Sequence, residues 1–355
     1  MISGEIIMSG NNHDIMKEFY QLSQKVLEEK PWQFYDDGQL IALVSNRPDE
    51  PVYVNILGNA GKTYGIVFYD GYDGLNDYNL LRHSEDLDLP PQYALFRQTA
   101  YAIYFGEEDE VPEEQLDYYH DLPFDFSHTE FGIPFVISMR PGFFPWSPRE
   151  SEIADVNSYL RDFFEVYERM DHNDQNWGVG SYRGFCQAMK KKDSSWQISY
   201  PPLLSEEYLP EELEYHEEYL EEELKGAKKN DSAYELDVYI PNIHIDDPMF
   251  YRPAAMTMIL VADSQTGMVL GQYMMEPAEE LIEKMNDTLL GVMKQYGIPE
   301  TVFVRSPVFA QMIVHLCEQT GCVPEVGSLD AMDEAIEFLD QMMAMGDPFS
   351  NSSFS

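Results

Sequence analysis

Apolar positions first recur at helical spacing. Ile15, Phe19, Leu22 and Val26 share one face, which predicts a helix over Asp14–Glu29 stopped by Pro31. The spacing then falls to two. Leu40–Ser45, Val52–Leu57 and Tyr64–Tyr69 read as strands parted by Pro48, Gly58, Gly61 and Gly71, an antiparallel meander. A helical stretch over Asp73–Ser84, a strand around Tyr93–Phe105, an acidic turn over Gly106–Glu114 and a strand at Phe135–Met139 follow. Ser147, Pro148 and Glu150 signal the start of a helix whose apolar face holds Ile153, Val156, Leu160, Phe163, Phe164 and Tyr167. A hairpin around Phe185–Tyr200 closes an α+β domain over 1–204.

Residues 205–231 form an acidic segment, read as a solvated helical connector with one leucine stripe. The C-terminal part has the strongest pattern. Strands are expected at Tyr234–Pro241, Ala255–Asp263 and Met268–Met275, the last two joined by a tight turn. A helix from Pro277 to Tyr296, a strand at Thr301–Val304, a helix from Ser306 to Gly321, a strand at Cys322–Val326 and a helix capped by Ser328 complete it. The order over 232–346 is β-β-β-α-β-α-β-α, an α/β domain, and 347–355 reads as a disordered tail.

Composition narrows the function classes. The chain has 355 residues, 64 Asp+Glu against 22 Lys+Arg, and a formal charge of -42. A body this acidic repels a phosphate backbone, so general nucleic-acid binding is not expected. The longest basic run, Lys190-Lys191-Lys192, does not reverse that. Hydrophobic residues make up 44%, enough for packed cores. Three cysteines, Cys186, Cys317 and Cys322, are too few for a disulfide framework and fit a reducing cytoplasm. The N-terminus lacks the pattern of a signal peptide, and the apolar run Ala254–Ala262 is too short to span a bilayer.

Several motifs in the C-terminal part resemble the transposase and integrase branch of the ribonuclease H-like fold. They are the turn Asp263-Ser-Gln-Thr-Gly267, the segment Tyr296-Gly-Ile-Pro-Glu300, and Phe309 followed by Cys317-Glu-Gln-Thr-Gly321. The resemblance covers about Tyr234 to Leu339 and implies two-metal cleavage by carboxylates on the first strand, the fourth strand and the last helix. Asp237 stands at the first position, with Asp263 as its alternative in a shifted threading, and Glu334 or Glu337 at the third. The second position reads Arg305-Ser306-Pro307. A guanidinium has donors and no lone pair to offer a metal, so this site departs from the catalytic pattern. The whole chain also resembles a bacterial two-domain family of unknown function, through Arg140-Pro-Gly-Phe-Phe-Pro-Trp146 and Leu260-Val-Ala-Asp-Ser-Gln-Thr-Gly267.

Other constellations carry less. Gly58-Asn-Ala-Gly-Lys-Thr63 lacks the leading glycine of a phosphate loop, since Ile56 stands there, and reads as a hairpin turn. His315, Cys317 and Cys322 read as a buried structural group, not a zinc site. His244 with Asp246 and Asp247, and His120 with Asp121, Asp125 and His128, read as chance neighbours in loops. The cluster Phe143-Phe144-Pro145-Trp146 reads first as a staple that packs the helix entry onto the sheet, and as a surface it makes Phe143, Phe144 and Trp146 the candidate partner-binding residues. The expectation is a cytoplasmic, non-catalytic, acidic interaction protein without cofactor or metal, binding a basic protein partner. The alternative is a divalent-metal-dependent hydrolase or nuclease using Asp237, Asp263 and Glu334.

Overall fold

A computed structural model describes residues 10–45, 50–172, 186–201 and 213–346. They form nine helices and fourteen strands, gathered into two compact units. The first contains 1–78, 98–140 and 145–206, and the second contains 79–97, 141–144 and 207–355.

The first unit is built on a seven-stranded sheet. Its strands are β1 (Leu40–Val44), β2 (Val52–Leu57), β3 (Gly65–Asp70), β4 (Ala100–Gly106), β5 (Ile133–Met139), β6 (Cys186–Lys190) and β7 (Trp196–Ser199). They lie in the order β5-β4-β3-β2-β1-β6-β7, and every pair is antiparallel except β1 with β6. The meander read from the sequence is therefore present, extended by one parallel crossover. Alternate residues leave the sheet on opposite faces. Ile41, Leu43, Val54, Ile66, Phe68 and Ile103 pack in the core shared with α1 (Gly10–Glu29) and α5 (Glu150–Tyr167). Leu40, Ala42, Tyr53, Val67 and Tyr69 face the other way, where Leu75 and Tyr78 of α2 (Gly71–His83) cover them.

Some boundaries differ from the sequence reading. Residues 93–97 are not strand, because Pro90-Pro91 start a short helix, α3 (Pro91–Leu95), and β4 begins only at Ala100. The acidic turn gives way to a helix, α4 (Glu113–Asp121), with Glu113 and Glu114 in its first turn, where the helix dipole favours them. The expected cap at Ser147 lies too early. Helix α5 opens at Glu150, and the Arg149 N–H donates to Glu152 Oε2 at 2.8 Å.

Gly132 enters β5 with φ of 88°, and a Cβ there would overlap the backbone carbonyl oxygen of Gly106 across the β4–β5 ladder. Neither strand can retreat without breaking that ladder. Gly132→Ala is expected to destabilise the first unit by about 3 kcal/mol. Trp32, Trp146 and Trp196 lie in the first unit and the second has no tryptophan, so the fluorescence-detected urea transition reports the first.

The second unit holds α6 (Glu217–Glu223), β8 (Ala233–Tyr239), the small pair β9 (His244–Ile245) and β10 (Ala254–Ala255), β11 (Thr257–Asp263), β12 (Val269–Met275), α7 (Leu281–Tyr296), β13 (Thr301–Val304), α8 (Pro307–Thr320), β14 (Val323–Val326) and α9 (Asp330–Gly346). Apart from β9 and β10, the element order from β8 onward is the one expected. Residues 205–212 of the acidic connector lie outside the described residues, as does the tail 347–355. The five-stranded sheet runs β12-β11-β8-β13-β14. β11 is antiparallel to both neighbours, while β8, β13 and β14 are mutually parallel. One face, with Leu236, Val238, Ile259, Val261, Val302 and Val304, packs on α7 and α8. Leu260 and Ala262 on the other face pack with Leu329 and Met332 at the start of α9.

Candidate functional site

Period-two geometry places Glu235, Asp237 and Tyr239 on the face of β8 opposite Leu236 and Val238. This is the α9 face, and each of the three is tied there. Glu235, 4% exposed, accepts from the Met332 N–H at 2.7 Å and the Ala331 N–H at 3.4 Å, so it caps the start of α9. Burial pushes its carboxyl above the ordinary range, and the two N–H donors pull against that. The Tyr239 hydroxyl bonds Asp340, two turns along α9.

Asp237 lies between these two ties and is 1% exposed. Its Oδ2 accepts from Arg305 Nε at 3.0 Å and from a terminal guanidinium nitrogen at 2.7 Å. The same terminal nitrogen reaches Asp333 Oδ1 at 2.7 Å. Asp237 Oδ1 accepts from the Val238 N–H at 2.9 Å. Burial raises the Asp237 carboxyl above its ordinary value, and the Arg305 bonds and charge counter that effect. Arg305 follows β13 directly, and β13 is parallel to β8, so the guanidinium arrives beside Asp237 by strand register.

The three candidate carboxylates do not converge. Asp263 pairs with Tyr234, whereas Asp237 pairs with Leu260, three residues away along β11. At ~3.3 Å per residue that is about 10 Å. Asp263 instead closes its own turn. Its Oδ1 accepts from the Thr266 hydroxyl at 2.7 Å and the Thr266 N–H at 2.8 Å, and the hydroxyl bond is the main reason its carboxyl sits below the ordinary range. Glu334 and Glu337 are exposed. Asp333, one residue earlier, is the α9 acid that meets Arg305, and sequence reasoning passed over it. The signal was available: Asp333 and Asp340 are seven residues apart and share a helix face beside the apolar stripe of Met332, Ile336, Leu339 and Met343. Among the described residues no three His, Cys, Asp or Glu side chains gather as ligands for a metal ion.

An open cleft of about 920 Å³ lies over this face. Its lining includes five carboxylates, Glu85, Asp88, Asp237, Asp333 and Asp340, against a single guanidinium, Arg305. The Ser306 hydroxyl, at the start of α8, donates to the Leu87 carbonyl at a distance of 2.5 Å and so fixes the Glu85–Asp88 wall. That wall comes from the first half of the chain, yet it belongs to the second unit.

The aromatic candidates separate. Phe143 packs on Tyr251 and Phe250, with ring centroids 5.0 and 6.1 Å apart, and Phe144 on Phe96 at 4.7 Å and His244 at 5.5 Å, all in the second unit. Trp146 belongs to the first unit, bridges Ser138 through two backbone hydrogen bonds and leaves 47% of its surface exposed. The His120 and His128 neighbours resolve as surface pairs, His120 with Glu108 and His128 with Asp125. Among the described residues no helix is long and apolar enough to cross a membrane.

Comparison with known proteins follows the division seen in the sheets. Residues 17–181 match the family model described as Domain of unknown function (DUF7309), and residues 221–340 match Domain of unknown function (DUF6930). The chain carries these two domains. DUF6930 therefore spans β8 through most of α9 and contains Glu235, Asp237, Arg305 and Asp333. Comparison with curated proteins gives no match. Among solved structures, a chain of the cryo-EM structure of the simian T-cell lymphotropic virus intasome in complex with PP2A regulatory subunit B56 gamma aligns over 34% of this chain, at 13% identity and a TM-score of 0.24. The alignment spans 42% of that chain's own length, and a likeness at this level carries no structural argument.

Proposed function

We propose that the second unit is a ribonuclease H-like domain turned from catalysis to binding, in a non-catalytic protein that recognises a basic protein partner. The order β12-β11-β8-β13-β14, with β11 alone reversed, supports the fold reading. One observation carries the functional reading: Arg305 bridges Asp237 and Asp333 where a two-metal site would place a carboxylate. A cation held at 2.7 Å neutralises the first acid, repels a second cation and occupies the oxygen lone pairs a metal would need. Glu235 and Tyr239 serve α9 in the same way, so the polar face of β8 is spent on docking a helix.

The cleft keeps an excess of carboxylates after that docking, and the chain carries a charge of -42. Both would draw in a positively charged protein segment and speed its encounter. A fluorescent arginine-rich peptide is the direct probe. The full chain is expected to bind it at low salt, with affinity falling steeply as salt rises, and Glu85→Lys with Asp88→Lys should weaken binding at least tenfold. No binding at low salt, or equal binding by the charge-reversed variant, would sink the proposal. Manganese-dependent cleavage of DNA or RNA that vanishes in Asp237→Ala would favour a hydrolase instead.

A further inference from the structure

Helix α8 ends in a tight left-handed turn. Gly321 takes φ of 72°, the Cys322 N–H donates to the Cys317 carbonyl at 3.0 Å, and the Gly321 N–H donates to the Glu318 carbonyl at 3.3 Å. This pair of bonds brings the side chains of the fourth-last helical residue and of the residue after the glycine together. Most proteins place two apolar side chains in that contact. Here both are cysteines, buried in the same core. The Thr320 hydroxyl lies 3.4 Å from Cys322 Sγ. The Lys229 ammonium covers the same corner, 3.3 Å from the Gly321 carbonyl oxygen. Cys317 is fully enclosed, while Cys322 keeps 5% of its surface.

We propose that Cys317 and Cys322 are a redox modification site, a dithiol that closes to a reversible intramolecular disulfide when a peroxide reaches it. A turn of this kind sets the two side chains against each other at the helix end, the short span a disulfide closes. The roles are unequal. The neighbouring Cys317 thiol, the Thr320 hydroxyl and the Lys229 charge hold the Cys322 thiol below its ordinary range, while Cys317 is held above it. Cys322 is therefore the nucleophile and Cys317 the resolving thiol. The Cys322 thiolate attacks one peroxide oxygen, the O–O bond breaks, and the departing hydroxide takes a proton to leave as water. Cys322 is now a sulfenic acid. Cys317 then gives up its proton, its sulfur attacks Cys322 Sγ, and the hydroxyl leaves as a second water. Two thiols are oxidised to one disulfide and one peroxide is reduced to two waters. Cys186 supplies an internal comparison. It is buried in the first unit, and burial pushes its thiol up to about 12.

The test uses the reduced full chain, exposed to a slight excess of hydrogen peroxide, then unfolded and alkylated. Glutamyl endopeptidase cuts after Glu318 and so separates the two cysteines. The expected product is a pair of fragments joined until dithiothreitol is added, with Cys186 fully alkylated. In Cys317→Ser the reaction should stop at a Cys322 sulfenic acid that dimedone traps, forming at least tenfold faster than oxidation of Cys186. Three alkylatable thiols after peroxide exposure would overturn the proposal. So would oxidation of Cys186 at the same rate, or over-oxidation of Cys322 in the unaltered chain without a cross-link. The mapping on the unaltered chain decides the matter even if the serine variant folds poorly.

Discussion

Arg305→Ala is expected to destabilise the second unit by about 3 kcal/mol at neutral pH, the order of cost for stranding one member of a buried ion pair. The reason lies in the asymmetry of the pair. The Asp237 side chain is only 2% exposed, and Arg305 is 29% exposed, so removing the guanidinium strands the more buried partner. The sign of the pH dependence follows. Burial already raises the Asp237 carboxyl above its ordinary value. A group raised in this way contributes stability that is fully present below its unfolded pKa and lost as pH rises through the folded one. Without Arg305 the folded value climbs further. The deficit of the variant should therefore be largest near neutrality and shrink on acidification, as Asp237 takes up a proton. Replacing both partners, Asp237→Leu with Arg305→Met, should return stability to within about 1 kcal/mol of the starting protein. Hydrogen exchange in peptides of β8 and α9 measures all three, since the second unit has no tryptophan. A single variant with unchanged protection at both pH extremes would show that the ion pair does not hold α9.

Phe309→Ala is expected to cost about 4 kcal/mol, because it deletes a ring that is 0% exposed and leaves a cavity between α8 and the sheet. Its consequence reaches an early part of the chain. The Tyr93 ring of α3 meets Phe309 edge to face, centroids 5.3 Å apart. Leu80, Leu89, Ala94 and Phe96 join the same core. A cycle with Tyr93→Ala should give a coupling of about 1 kcal/mol beyond additivity. In hydrogen exchange, loss of protection should appear together in α8 and in peptides covering 79–97. Loss confined to α8 would mean that the early segment does not depend on the second unit for its order.

Residues 79–97 show where reading the sequence falls short. Their pattern reads as helix followed by strand within an N-terminal domain. Tyr93 and Phe96 satisfied a strand pattern because short apolar runs fit either period. The proline pair that starts α3 was the local signal. Its partner, Phe309, lies over 200 residues away, and no local pattern records such a distance. Site acids show the same limit. Asp237 and Arg305 were both legible as occupants of their positions, from the strand pattern and from the motifs around them. That they bond each other is a matter of register between β8 and β13. Asp333 was displaced by its neighbour Glu334, since either residue type suits the chemistry and only the rotation of α9 about its axis selects between them. Asp263 looked catalytic by sequence position and proves to be a turn-former, its lone pairs taken by Thr266.

Most elements of this protein were legible in its letters: the period of its apolar residues, the proline and glycine stops, and the serine that opens α8, whose hydroxyl accepts from the Val308 N–H at 3.2 Å. These are interactions within a few residues, written in adjacent letters. What the charged groups do depends on contacts between distant parts of the chain. A buried carboxylate is a metal ligand, a helix cap or an ion-pair partner according to what the rest of the chain brings within about 3 Å of it. In β8 the chain brings a helix N-terminus to Glu235 and a guanidinium to Asp237, and the strand's polar face becomes the seat of α9.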